Sequence, residues 1–160
     1  MTEPSTPALD AIAAAGTSHR VVRTERASSA EESARFQGIQ VRQLLRTIVV
    51  RRGDDDYLFV LVPAGRRFDW PKLRDLLGVR RMTLPDADEA RAVTGYERYT
   101  ITPFGSTFAW PVIADAAIVG EPVVSIGGGG FGINLHLAPA DLVAALAATV
   151  ADVSRPDPPA

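Results

Sequence analysis

Two strand-like runs, residues 46–51 and 57–62, flank Gly53-Asp54-Asp55-Asp56, and this arrangement constrains the fold more than any other stretch of the chain. The glycine and aspartates are hairpin-connection residues, so the two runs are expected to pair as neighbouring strands. Three consecutive aspartates on a turn point apart from one another, which makes a solvated loop a better reading than a metal site.

Around this hairpin the sequence alternates short helical and short extended signals. Residues 7–15 read as a helix with Pro7 in the first turn and Gly16 at the end. Residues 19–24 have the β-branched look of a strand. Ser28 or Ser29, followed by Glu31 and Glu32, caps a helix that runs through Phe36 and stops at Gly38. Residues 70–77 are apolar at helical spacing, with Pro71 at the start and Gly78 as the C-terminal stop. A short strand over 81–84 and an acid-started helix over 85–93, closed by Gly95, come next. Strands are expected at 111–114, 122–126 and 133–137, and a last helix at 139–148. Residues 1–6 and 154–160 look like frayed tails, the latter holding three prolines in seven positions. Without a regular βαβ rhythm the class is α+β, as one domain over residues 7–153.

The composition suits that reading. With 160 residues, 46% hydrophobic and 22% charged, the chain is in the range of one globular domain. It contains no cysteine, which excludes thiol nucleophiles and thiolate zinc sites. No apolar run approaches the ~18 residues of a spanning helix, and the first residues lack the order of a signal peptide, so a cytoplasmic location is the default. The net charge of −2 hides an asymmetry, residues 1–82 carrying +4 and residues 83–160 carrying −6. Lys72 is the only lysine, so phosphate contacts would fall to forked guanidinium groups.

Several chemistries fail for want of parts. The chain has no G-x-S-x-G, no H-E-x-x-H and no G-x-x-x-x-G-K-[ST]. Its two histidines, His19 and His136, are far apart in sequence; His136 is read either as structural or as a polar group at a site mouth. Residues 127–132, Gly-Gly-Gly-Gly-Phe-Gly, satisfy G-x-G-x-x-G, yet a strand signal follows where a dinucleotide site needs a helix. The tract is then either a mobile turn or a place where backbone amides approach a ligand closely. Residues 94–106 form the second unusual stretch, in which Pro103 and Gly105 punctuate a loop carrying Tyr96, Tyr99 and Phe104. Packing of Phe104 and Tyr96 into the core stands beside a rigid frame presenting main-chain donors and acceptors.

The ordered set of Ser29-Ala30-Glu31-Glu32-Ser33-Ala34, Leu45-Arg46-Thr47-Ile48-Val49, Thr94-Gly95-Tyr96, Thr102-Pro103-Phe104-Gly105, Pro111-Val112 with Asp115, Ser125-Ile126-Gly127-Gly128 and Leu137-Ala138-Pro139-Ala140-Asp141-Leu142 resembles the YbaK/EbsC family. These are stand-alone relatives of the prolyl-tRNA synthetase editing insertion, and the likeness covers about residues 7 to 153. It implies a compact α+β domain with a curved mixed β-sheet flanked by helices. It also implies a trans-acting aminoacyl-tRNA deacylase, of tRNA-Pro editing type, that uses no cofactor, metal or protein nucleophile. The implied partners are the 3′ end of an aminoacyl-tRNA and an aminoacyl-tRNA synthetase, with no membrane. Carried onto this chain, the catalytic positions are Arg46, Thr102 and Gly105, and the substrate-binding ones are Thr47, Tyr99, Pro103, Phe104, Ser125, Gly127 and Gly128.

Two positions depart from the family pattern. Arg46 stands where the family has a lysine; it can grip a phosphate but keeps its charge and cannot act as a base. Tyr99 stands at the first glycine of the family's G-x-x-x-P loop and brings a Cβ and a ring where close backbone approach was available. A second function follows from these departures: a catalytically impaired family member that binds aminoacyl-tRNA or a nucleotide-like ligand without turnover.

Overall fold

The computed structural model describes residues 4–157; the expectations for the outermost tail residues, 1–3 and 158–160, lie outside the described residues. In chain order the elements are α1 (Pro7–Ala14), β1 (Arg20–Arg23), α2 (Ala30–Gln37), β2 (Leu45–Gly53), β3 (Asp56–Pro63), β4 (Arg66–Phe68), α3 (Trp70–Leu77), α4 (Ala87–Thr94), β5 (Val112–Asp115), β6 (Val124–Gly127), β7 (Ile133–Leu137), α5 (Pro139–Leu146), β8 (Thr149–Ala151) and β9 (Ser154–Pro156). Mixed strand directions and five flanking helices make this the expected α+β architecture.

The hairpin forms as read. Strands β2 and β3 pair antiparallel from Leu45 opposite Pro63 to Arg51 opposite Tyr57, with a register shift at the turn. The turn aspartates are partnered by arginines, Asp54 by Arg51 at 2.6 Å and Asp56 by Arg52 at 2.9 Å. Strand β3 continues into a mixed sheet, β2-β3-β5-β8, and β1-β7-β6 forms a second sheet. A parallel bridge between Leu44 and Ser125 joins the two.

Alternation along β3 explains why Tyr57-Leu58-Phe59-Val60-Leu61-Val62 is apolar throughout. Tyr57, Phe59 and Leu61 belong to a core shared with Ile12 of α1, Leu142 of α5, Tyr96 and Phe104. Leu58, Val60 and Val62 belong to a second core with Leu73 of α3 and Val153. Both faces of the strand are therefore covered.

Four local expectations change. Residues 81–84 form no strand: Thr83 makes one antiparallel bridge to Arg51, with bonds of 2.8 and 2.9 Å, before Pro85 removes the next donor. Strands β4 and β8 were silent in the sequence because each is three residues long. Beyond Val153 the chain is not frayed, since Ser154, fully buried, donates through its hydroxyl to Asp115 at 2.8 Å and starts β9 on β4. Nor is Thr6 loose: it caps α1 at Leu9 N–H and donates its own hydroxyl to the Gly128 carbonyl at 2.5 Å.

The glycine tract is a fixed connection between β6 and β7. Gly128 N–H donates to Ile133 O at 2.8 Å, and Thr24 N–H donates to Gly132 O at 2.8 Å. Gly132 has φ +72°, and a Cβ there would overlap the Thr24 carbonyl, so no other residue fits.

Candidate functional site

Alternation decides which face each site residue occupies. In β2, Leu45 and Val49 point into the first core, so Thr47 shares their side and Arg46 points the opposite way with Ile48 and Val50. In β6, Val124 and Ile126 point into that same core, leaving Ser125 and Gly127 on the outer face. The parallel bridge between Leu44 and Ser125 brings the start of β2 alongside β6. Arg46 and Thr47 stand on opposite faces of β2.

On that outer face lies a cleft of about 780 Å³, within the size range of small-molecule sites. Gly127 and Asn134 line it from the sheet, Ser29 and Ser33 from α2, and Tyr99 and Thr100 from the loop after α4. Arg26, Ser28, Gly130 and Phe131 add to the rim, and the Ser28 hydroxyl donates to Glu32 Oε1 at 3.3 Å. Tyr99 and Thr100 of the loop thus meet Gly127 and Gly130 of the tract. Among the described residues, no histidine, carboxylate or lysine lines the cleft. Ser29 accepts a capping bond from Glu32 N–H at 3.0 Å and Ser33 accepts one from Gln37 Nε2 at 2.8 Å, so neither serine has a base to activate it.

The remaining expected residues sit elsewhere. Thr102 and Phe104 are buried, and the Phe104 carbonyl accepts a 2.6 Å bond from the Tyr96 hydroxyl. Burial pushes the Tyr96 pKa up to about 12, which keeps that hydroxyl a permanent donor. Gly105, at φ +70°, lies so close to the Pro7 backbone that a Cβ would overlap it. The 102–105 segment is therefore a frame clamped between α1 and Tyr96, set behind the cleft and not lining it. Thr102 Oγ1 is buried without a hydrogen-bond partner among the described residues.

Ser125 is also withdrawn. Its hydroxyl donates to Gln37 Oε1 at 2.5 Å, and His136 Nε2 meets the same oxygen at 2.8 Å. Because Gln37 Oε1 only accepts, His136 carries its proton on Nε2. All three side chains are buried, and burial, with Arg20 adding to it, holds the His136 pKa below its ordinary value. His136 is thus fixed by Gln37, and it lines a second cleft together with His19 and Asp141. Gly128 is likewise committed, its N–H to Ile133 and its carbonyl to Thr6.

Arg46 is exposed, and its Nη2 donates to the Arg66 carbonyl at 2.5 Å. Tyr99 has a left-handed backbone, φ +70°, a conformation that costs a residue with a Cβ roughly 1–2 kcal/mol. Its ring is 78% exposed and stands at the rim, leaving the cleft open. Sequence reading missed Arg26, Ser33, Thr100, Phe131 and Asn134. The one available signal was Phe131, an aromatic inside a run of glycines.

Residues 24–145 match the aminoacyl-tRNA editing domain family. The chain belongs to that family. The solved structure of a candidate trans-editing enzyme for prolyl-tRNA synthetase superposes on this editing domain with a TM-score of 0.86 at 27% identity, covering 96% of this chain and 99% of that one. A hypothetical protein of known structure shares the fold with a TM-score of 0.85 at 24% identity, over 94% of this chain and all of that one. In sequence, the chain is 31% identical over 68 residues to a proline–tRNA ligase of Thermosipho melanesiensis, a match covering 41% of this chain and 12% of that protein. The editing domain therefore spans only a small part of that ligase's length. Among the described residues, no helix is long and apolar enough to cross a membrane, and no three His, Asp or Glu side chains group as metal ligands.

Proposed function

We propose that this editing domain is a trans-acting deacylase that hydrolyses the ester of a mischarged tRNA, of the tRNA-Pro editing type. Water attacks the ester carbonyl, the bond from carbonyl carbon to ribose oxygen breaks, and the amino acid and tRNA leave separately. The observation that carries the reading is the cleft itself, which belongs to an aminoacyl-tRNA editing fold and has no histidine, carboxylate or lysine among its described lining residues. An activated ester held in place needs orientation and stabilisation of the developing oxyanion more than it needs a reactive side chain.

Arg46 does not line the cleft, and its role is at the tRNA strand's phosphate. Released from the Arg66 carbonyl, its fork binds the 3′-terminal phosphate. Thr100 and Asn134 offer polar contacts to the ribose and the aminoacyl group, and Gly127 lets the chain approach closely. Thr102, Pro103, Phe104 and Gly105 act as the frame that holds Tyr99 and Thr100 in place, and Ser125 acts by fixing α2 through Gln37. A synthetase that supplies the mischarged tRNA is the natural protein partner.

The test is release of amino acid from a panel of mischarged tRNAs. At least one aminoacyl group is expected to leave faster than in buffer, and Arg46→Ala is expected to slow that release about tenfold or more, the value of one lost charge-assisted bond. A panel with no acceleration ends the deacylase reading. The second reading, a binding module without turnover, draws on the engaged Arg46 and the strained Tyr99. It predicts that tRNA binds without hydrolysis, and that Arg46→Lys combined with Tyr99→Gly creates activity.

A further inference from the structure

Two exposed aromatic rings line the same cleft, and each carries an arginine on its face. The Arg26 Cζ lies 3.8 Å from the Phe131 ring centroid, and the Arg98 Cζ lies 4.9 Å from that of Tyr99. Phe131 is 38% exposed and Tyr99 is the most exposed large hydrophobic side chain among the described residues. Neither Arg26 nor Arg98 has an ion-pair partner among the described residues. Flat π surface and unneutralised guanidinium are thus presented together at the cleft, on the loop after α4 and on the glycine tract.

We propose that Tyr99 with Arg98, and Phe131 with Arg26, form a stacking platform for an unpaired nucleotide adjoining the esterified one, an inference that rests on the deacylase reading for the identity of the strand. Aromatic rings and guanidinium planes both stack bases, and do so with little regard to base identity. The same guanidinium groups reach the phosphate between two nucleotides. A paired stem cannot use this surface, because its bases are already stacked on each other. The occupant is therefore single-stranded, which is the state of a tRNA's 3′ end. The platform also accounts for a tyrosine in a left-handed backbone position that glycine would occupy without strain.

The experiment is fluorescence anisotropy of a labelled single-stranded ribotetranucleotide ending in CCA, titrated with the protein at low salt. Tyr99→Ala and Phe131→Ala are each expected to weaken binding about tenfold, in the range for one lost base–aromatic stack. Tyr99→Phe, which keeps the ring, is expected to bind like the wild type. Alanine variants that bind as tightly as the wild type would overturn the platform, as would a wild-type chain that holds the oligonucleotide no better than inorganic phosphate. Hydrolysis plays no part in this measurement. A chain that binds through both rings yet releases no amino acid from any mischarged tRNA would end the deacylase reading and leave the platform standing. Deacylation in both alanine variants with unchanged KM would end the platform alone.

Discussion

Tyr99 sets stability against binding at a single residue. Its left-handed backbone makes Tyr99→Gly stabilising by about 0.5–1 kcal/mol, once the glycine's greater unfolded-state freedom is subtracted. A higher urea midpoint with weaker oligonucleotide binding is the expected pair of results. Gln37 is the opposite case. Gln37→Leu strands the buried Ser125 hydroxyl and the His136 N–H together, at a cost of about 2–4 kcal/mol read from urea unfolding. His136 also gives the fold a pH dependence. Its pKa is lowered in the folded state by burial first and Arg20 second, so the unfolded chain binds the proton more readily below the ordinary value of 6.5. Stability is then full above that value and falls as the pH drops through it toward the lower folded pKa. The urea midpoint is expected to decline from pH 7 to 5, with a shallower decline in His136→Gln. Asp152, whose carboxyl is held below its usual range by a hydrogen bond from Lys72, acts only below its ordinary value of 3.8, outside that window.

Among the elements, β9 depends on one buried carboxylate. Asp115 Oδ1 accepts from Val153 N–H at 3.0 Å, and Oδ2 accepts from the Ser154 hydroxyl and from Ala117 N–H. Arg66 lies 3.8 Å from it. Asp115→Ala leaves these donors unmatched and is expected to cost about 3 kcal/mol, with Ser154→Ala costing about 1. Calorimetric melting of the two variants checks the ratio. The same elements show what a sequence can disclose. The β2–β3 hairpin and the caps at Ser29, Gly38 and Gly78 were readable because their causes lie within a few residues. The pairing of β4 with β9, Arg67 opposite Arg155, was not, because its partners are distant and Asp115, which holds it, lies on a third strand. The cleft divides likewise. Tyr99 and Gly127 announced themselves as an oddity in a loop and a glycine after a strand, whereas Ser33 and Asn134 became lining residues only when α2 packed beside β7.

Across the whole molecule, the uneven charge fits a partner held by one end. Binding of tRNA is expected to weaken with salt at a log–log slope of about −0.7 for each single-strand phosphate neutralised, so a shallow slope accompanies a grip limited to the 3′ terminus. A slope near that of a duplex binder would mean a far larger footprint. The fold supports such a local grip by bringing the loop at Tyr99 and the glycine tract together around one cleft beside α2. A non-hydrolysable amide analogue of aminoacyl-adenosine, titrated into ¹⁵N-labelled protein and followed by amide chemical shifts, tests this most directly. The largest shifts are expected at Ser29, Thr100, Gly127 and Gly130, with Arg46 Nε moving as it leaves the Arg66 carbonyl. Shifts confined to α3 and β9, or no shift at saturating analogue, would contradict it.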